Sequence, residues 1–161
     1  MKVVIAIRHA KAAWTEPEVK DHLRILDQQG VVDAEKLGQF LLQEGIAPDV
    51  VLSSSAIRAA RTAAIIVDNL ELPSSIIERK DLLYNASAEV ILSVVQSVDP
   101  AKNIVMIVAH NPGISSFVSL VTDGSPVNMG TCDVVVVGFE TDEWKSCLPG
   151  TGYVSRYIEN Y

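Results

Sequence analysis

Unbroken runs of apolar residues recur along the chain, and the first covers residues 3–7. Such a run, rich in β-branched side chains and without polar alternation, predicts a strand that is covered on both faces, as in a parallel sheet. Similar runs at residues 49–52 and 103–109 predict two more strands. Shorter strands are predicted within residues 75–82 and around a turn at Thr141-Asp142.

Helical spacing of apolar residues predicts four helices between these strands. Asp27 can cap the first helix, and residues 56–70 and 88–98 form the second and third. Asn111 and Pro112 are a good cap and first-turn pair for the fourth, which runs to about Thr122. The alternation of strand and helix predicts an α/β fold with helices on both faces of the sheet.

Length and composition limit what this fold contains. A chain of 161 residues with 48% hydrophobic content provides one well-filled core, so we expect a single domain over residues 1–161. The first apolar run is too short for a signal-peptide core or a membrane span, so we expect a cytoplasmic protein. Cys132 and Cys147 lack a C-x-x-C spacing and are expected to be reduced, packed thiols.

The charge distribution suggests the kind of ligand. The net charge of −7 argues against nucleic acid or an anionic membrane as a partner. Cations nevertheless cluster near the start of the chain and in the second helix, which indicates a small anionic ligand, unless they form only a solvated basic surface. These cations are Lys2, Arg8, Lys11, Lys20 and Arg24, with Arg58 and Arg61 as a second pair on one helix face.

Three predicted strands end in residues that can do chemistry. Arg8-His9 follows the first strand, residues 53–58 follow the second, and His110-Asn111 follows the strand at residues 103–109. Ligand sites of open α/β sheets lie beyond the carboxyl ends of the strands, so these side chains are expected to converge. The irregular stretch at residues 11–26 is long enough to be a functional loop.

Two histidines and two arginines without a carboxylate pair suit a phosphoryl group. Arginine binds phosphate bidentately, and a neutral imidazole nitrogen is a competent nucleophile towards phosphorus. Each histidine alone could equally be an ordinary hydrogen-bonded residue. A zinc site of His9, His22 and His110 is a further alternative, but Arg8 and Arg58 would oppose a dication, so no metal is expected.

Several motifs occur in an order that resembles a known family. They are "RHAKA" from Arg8, "DHLRIL" from Asp21 with "QQG" behind it, "SSAIRAARTA" from Ser54, and "VAHNPG" from Val108. The chain resembles the histidine phosphatase superfamily, and its length is similar to that of the small phosphohistidine phosphatases, the SixA-like branch. The resemblance implies a three-layer α/β/α fold with a mostly parallel sheet, like that of phosphoglycerate mutase.

The resemblance also implies residue roles. His9 is then the nucleophile, while Arg8, Arg58 and His110 bind the phosphoryl oxygens. Ser54 is expected to hydrogen-bond within the pocket. Asp21 and Arg24 match the D-x-x-R pattern of the loop in the phosphohistidine branch. Arg24 is then expected to be an additional substrate or phosphate contact. No cofactor is implied.

The departures from the family pattern bear on the substrate. Ala10 replaces the usual Gly and Ser55 the usual Pro, and neither change removes a catalytic group. The segment "KDLLYNAS", from Lys80, lacks the acid/base Glu of the larger metabolite enzymes, which leaves Asp21 as the candidate acid or base. We therefore expect a phosphatase acting on a histidine-phosphorylated protein. The alternatives are a small-metabolite phosphomonoesterase and a phosphate-recognition module without turnover.

Overall fold

The structure is a computed structural model that describes residues 1–159 and 161. The described residues form six strands that join in one sheet. The sheet order is β3-β2-β4-β1-β5-β6. The strands are β1 (Lys2–Arg8), β2 (Val50–Ser54), β3 (Ile77–Lys80), β4 (Ile104–Ala109), β5 (Val134–Phe139) and β6 (Gly152–Ile158).

Strand direction is parallel over most of the sheet. β1 and β4 are parallel neighbours, and β2 pairs in parallel with both β4 and β3. β5 runs antiparallel to β1, and β6 runs antiparallel to β5. In the β1/β4 pair Arg8 lies opposite Ala109, so the residues after both strands leave the sheet side by side.

Helices cover both faces of the sheet. α1 and α2 pack on one face over Ile5, Ile7 and Met106, and α3 and α4 pack on the other over Val4 and Ala6. This arrangement confirms the predicted three-layer α/β/α fold with a mostly parallel sheet. The helices are α1 (Gln28–Gln43), α2 (Ile57–Asn69), α3 (Ala88–Gln96) and α4 (Gly113–Val121).

Helix ends follow the sequence signals at α1 but not at α4. The Asp27 side chain accepts a 2.7 Å hydrogen bond from the Gly30 amide, as a capping residue does. The prediction that Asn111 caps α4 was wrong, because Pro112 takes the cap position. Asn111 instead donates from Nδ2 to the Met129 carbonyl at 2.8 Å and fixes the loop that precedes β5.

The predicted loop at residues 11–26 is irregular over most of its length. An antiparallel bridge between Ala12 and Leu26 closes its base, and Leu26 is buried. The part of the loop farthest from this base contains a short 3-10 helix, Asp21–Leu23, with no buried residue. The loop is therefore anchored by packing at its base and by polar contacts beyond it.

Not every cation of the sequence clusters belongs to one site. Lys2 is buried and donates from Nζ to Pro100 O, Lys102 O and Asn103 Oδ1 at 2.8, 2.7 and 3.0 Å, near the amino end of β4. Arg61 is exposed, whereas Arg58, on the same helix, is buried. The expectation that this pair shares a face was therefore wrong, since only Arg58 points inward.

Two further expectations concern cysteines and membranes. Cys132 and Cys147 are both buried and free, as predicted. Among the described residues, no helix combines the length and the apolar character needed to cross a membrane.

Gly113, the first residue of α4, permits close packing beside the strand end that bears His110. A Cβ at this position would overlap the main-chain carbonyl oxygen of Ala86. Gly113→Ala is therefore expected to lower the free energy of unfolding by about 1–3 kcal/mol. Ser116→Ala, at an exposed position of the same helix, is the control and should change it by less than about 0.5 kcal/mol. Urea unfolding measures both, and equal stability of the two variants would contradict the close packing.

Candidate active site

The carboxyl ends of three neighbouring parallel strands bring together the residues predicted for the site. His9 follows β1 and His110 follows β4, and their ring centroids lie 5.0 Å apart. Ser54 ends β2, on the other side of β4. Arg58 reaches the same point from the first turn of α2, so sheet topology and one helix start assemble the set.

The hydrogen bond of His9 defines its reactive atom. His9 Nδ1 lies 2.7 Å from the Ala10 carbonyl oxygen. A carbonyl oxygen only accepts, so Nδ1 carries the proton and the lone pair is on Nε2. Burial, together with the charges of Arg58 and Arg8, lowers the pKa of His9 to about 4, although the Ala10 hydrogen bond acts in the opposite direction. At neutral pH the ring is therefore uncharged and nucleophilic at Nε2.

Arg58 is held between His9 and the long loop. Its Nε donates to His9 Nε2 at 3.4 Å. Its Nη1 donates to the Asp21 carbonyl oxygen at 2.7 Å, and its Nη2 donates to Asp21 Oδ2 at 3.0 Å. Only 5% of the residue is exposed. All three guanidinium nitrogens thus make contacts within the protein.

His110 lies beside His9 and against Ser54. Its Nε2 is 2.7 Å from Ser54 Oγ, which also accepts a hydrogen bond from the Ala56 amide at 3.2 Å. Burial lowers the pKa of His110 to about 3, and the charges of His9 and Arg58 act in the same direction. Ser54 therefore orients a second neutral imidazole towards the site. The buried Nδ1 of His110 has no partner among the described residues.

Two more cations lie around the histidine pair. Arg8 donates from Nη1 to the Met129 carbonyl at 3.0 Å, and its charge lowers the pKa of His9. Arg24 is farther out on the loop, where it donates to Asp21 Oδ1 at 3.4 Å and to the Ala13 carbonyl at 3.3 Å. Its charge also acts on His9. The electrostatic field at His9 is thus positive, although the whole chain is acidic.

The Asp21 carboxylate accepts hydrogen bonds from three sides. Tyr84 donates its hydroxyl to Oδ2 at 2.7 Å, in addition to the contacts from Arg58 and Arg24. The Tyr84 hydrogen bond is the largest cause that lowers the pKa of Asp21 to about 2. Asp21 is therefore ionised at neutral pH and has no proton to donate in this arrangement.

Sequence reasoning did not find Tyr84, and it placed neither His22 nor Ser55 in an anion site. The Tyr84 ring meets His110 and His22 edge to face, at centroid distances of 5.7 and 4.9 Å. His22 Nε2 lies 3.0 Å from Ser55 Oγ. Tyr84 lies within "KDLLYNAS", the segment that the sequence analysis searched only for a glutamate. An aromatic residue there was the available signal.

The sequence analysis also missed Thr62, which contacts the residue after His9. Its Oγ1 accepts from the Ala10 amide at 3.0 Å and donates to the Arg58 carbonyl at 2.7 Å. This buried hydroxyl links the turn after β1 to the first turn of α2. It therefore fixes the positions of His9 and Arg58 relative to each other.

The residues that the structure describes contain no group of three or more His, Cys, Asp or Glu side chains arranged to hold a metal ion. The zinc alternative required His9, His22 and His110 together. His22 instead faces Ser55, and Arg58 lies against His9.

Comparison with known sequences identifies the class of protein. The family model of the histidine phosphatase superfamily (branch 1) matches residues 4–82. An uncharacterised protein of Mycobacterium leprae is 30% identical over 138 residues, which cover 84% of this chain and 82% of that protein. An uncharacterised chloroplastic protein of Arabidopsis thaliana is 25% identical over 92% of this chain and 72% of its own length.

Solved structures share the fold over nearly the whole chain. A protein of Agrobacterium tumefaciens assigned as the phosphohistidine phosphatase SixA has a TM-score of 0.84 and 25% identity, covering 99% of this chain and 98% of its own. The protein histidine phosphatase SixA in complex with tungstate has a TM-score of 0.83 at 22% identity, covering 97% and 96%. A mycobacterial glucosyl-3-phosphoglycerate phosphatase has a TM-score of 0.73 at 13% identity, covering 99% and 100%. The last two likenesses show the fold alone.

The chain belongs to the histidine phosphatase superfamily, and its activity is that of a phosphatase, a hydrolase. The motifs predicted the SixA-like branch of that superfamily, and the likeness to the Agrobacterium tumefaciens protein supports this assignment.

The two neutral histidines make stability depend on pH. Their folded pKa values, about 4 and about 3, lie below the ordinary value of 6.5, so their contribution is complete above pH 6.5 and is lost as pH falls towards 4. Between pH 8 and pH 5 the free energy of unfolding should fall by on the order of 4 kcal/mol from these two groups. Urea unfolding at both pH values measures it.

His9→Gln is the matched variant for this measurement. It lacks one of the two titrating groups and should lose about 2 kcal/mol less than the wild type over the same pH interval. Equal losses in the two proteins would show that His9 is not held neutral by the fold.

Proposed function

We propose that the protein is a phosphohistidine phosphatase that removes the phosphoryl group from a histidine-phosphorylated protein through a phosphohistidine intermediate on His9. One observation carries this proposal. The Ala10 carbonyl holds the His9 proton on Nδ1 and so leaves the lone pair on Nε2, which faces Arg58 in the cationic site. A neutral imidazole in a positive field suits attack on a phosphoryl dianion.

In the first step His9 Nε2 attacks phosphorus in line with the P–N bond of the substrate. The new P–Nε2 bond forms while the electron pair of the old bond passes to the leaving imidazole, which takes up a proton from solvent water and leaves neutral. Arg8, Arg58 and His110 stabilise the equatorial oxygens, and Arg24 is an additional contact. The Ala10 carbonyl stabilises the positive charge that develops on the His9 ring.

In the second step water attacks the phosphorus of phospho-His9. The P–Nε2 electron pair returns to the ring, and inorganic phosphate leaves with the oxygen and protons of the water. Neither step needs a metal ion or an organic cofactor, so we propose that the enzyme is metal-independent.

The acid-base state of the site supports a phosphohistidine substrate. Asp21 is ionised, and its hydrogen bond raises the pKa of Tyr84, so neither group readily supplies a proton to a basic alkoxide. The imidazole of phosphohistidine leaves as a neutral, weakly basic group and does not need such an acid. Trp14, 97% exposed on the loop that carries Arg24, offers a contact for the surface of a protein substrate.

We further propose that the protein acts as one catalytic domain in a reducing compartment such as the cytoplasm. The two core clusters pack on the two faces of one sheet, which supports a single domain. The free, buried thiols of Cys132 and Cys147 support the compartment.

Trapping the intermediate tests the nucleophile. Rapid quenching of the enzyme with radiolabelled phosphoramidate, in the presence of EDTA, should give a phosphoenzyme that is stable to alkali and labile to acid. His9→Ala should remain folded, form no phosphoenzyme and keep less than about 1% of the turnover, because the covalent route is lost. His22→Asn, a histidine change at the edge of the same site, should still form it. A labelled His9→Ala would contradict the assignment.

The leaving group tests the substrate class. Without a general acid, kcat/KM should favour phosphohistidine, phosphoramidate and aryl phosphates over alkyl phosphates by about 10²- to 10⁴-fold. A phosphate-release assay over this panel measures the ratio. Comparable values for a sugar phosphate would establish the small-metabolite phosphatase instead. Binding of phosphorylated protein without phosphate release would indicate a recognition module.

A further inference from the structure

The resting site already contains an anion of the protein's own. Both terminal nitrogens of Arg58 are bound to Asp21, one to its carbonyl oxygen and the other to its carboxylate. These nitrogens form the planar fork that arginine uses to bind two oxygens of a phosphoryl group. A phosphoryl group can therefore take the full fork only after Asp21 has left it.

The same contact affects the nucleophile. Arg58 Nε donates towards His9 Nε2 at 3.4 Å, so it lies on the lone pair that must attack phosphorus. Reacting atoms approach to about 3–3.5 Å before bond formation, which leaves no room for both partners on one lone pair. Arg58 must shift away from His9 during the reaction, and its two bonds to Asp21 oppose that shift.

From this arrangement we infer that the Asp21 carboxylate is an internal competitor of the phosphoryl group for Arg58. It lowers the affinity of the resting site for phosphoryl anions and keeps the His9 lone pair covered until a substrate displaces it. This inference rests on the proposed function, since it assigns Arg58 to the phosphoryl oxygens.

The surroundings of Asp21 allow such a displacement. The 3-10 helix Asp21–Leu23 has no buried residue, and the contacts at Asp21 and His22 that hold it are polar or aromatic. Segments with little buried apolar surface open at low free-energy cost. The bridge between Ala12 and Leu26 keeps the base of the loop in place when the segment moves.

The competition also favours one class of anion. Asp21 offers Arg58 a single negative charge, whereas a phosphoryl dianion offers two and can reach Arg8 as well. Replacement of Asp21 at Arg58 is therefore more favourable for a dianionic phosphoryl group than for a monoanionic ester. A monoanionic ester would interact with Arg58 only about as strongly as Asp21 does. Asp21 in this role is a specificity residue rather than a proton donor.

The test is the affinity of the resting enzyme for inorganic phosphate and for orthovanadate, measured by calorimetry at pH 8 and 0.15 M NaCl. Asp21→Asn should bind both anions about tenfold more tightly than the wild type, because one charge-assisted hydrogen bond no longer has to be broken. Its KM for phosphoramidate should fall by a similar factor. The unfolding temperature of Asp21→Asn should fall slightly. General damage to the fold would differ from the expected result, because it would weaken anion binding.

Glu18→Gln is the matched control, since it removes one charge from an exposed position of the same loop and Glu18 makes no ion pair in the described part of the chain. It should change the anion affinities by less than about twofold. Unchanged or weaker binding by Asp21→Asn would overturn the inference, and so would equal tightening in both variants, which would reveal only a general effect of charge. If neither the wild type nor Asp21→Asn binds either anion, the proposed function itself fails, and the competition with it.

Discussion

The parallel pairing of β1 with β4 is the constraint on which the site depends. It sets Arg8 opposite Ala109, and a histidine follows each of these residues in the sequence. The ring centroids of the two histidines therefore lie 5.0 Å apart. Two adjacent parallel strands with interior side chains on both faces give this edge a rigid base. A slip of one residue in this pairing would move one ring to the other face of the sheet and separate the pair. The hydrophobic pattern of the two strands therefore maintains the register that keeps the two histidines together.

Burial and positive charge together keep this pair in its reactive state. An imidazole at the surface would be partly protonated at neutral pH, but these two are removed from water and surrounded by guanidinium groups. Burial of these polar rings lowers the free energy of unfolding. The hydrogen bonds to Ala10 and Ser54 reduce that loss. Stability and reactivity are coupled here, since the features that make His9 nucleophilic also make the folded state sensitive to acid.

Sequence patterns sufficed for the layers of the fold, but they missed the contacts that cross between segments. Strand-end motifs indicated His9, His110 and Arg58, because parallel topology forces such ends together. The direction of β5 was not predictable, since its run is as apolar and as buried as that of the parallel strand β4. Asn111 was assigned to a helix cap because capping is a local rule, whereas its partner Met129 is distant in sequence. Tyr84 and Asp21 likewise meet only in the folded chain, across 63 positions.

Main-chain carbonyl groups accept hydrogen bonds from three residues of the site. The carbonyl of Ala10 holds His9, that of Asp21 receives Arg58, and that of Met129 receives Arg8. The Ala10 carbonyl is present whatever amino acid occupies the position, so the side chain there can change while the hydrogen bond to His9 persists. This explains how alanine can occupy position 10, where the family pattern has glycine, without disturbing the His9 tautomer. Substitutions at such a position would reflect only how its side chain packs. An alignment of many sequences would therefore not reveal the carbonyl that accepts the hydrogen bond.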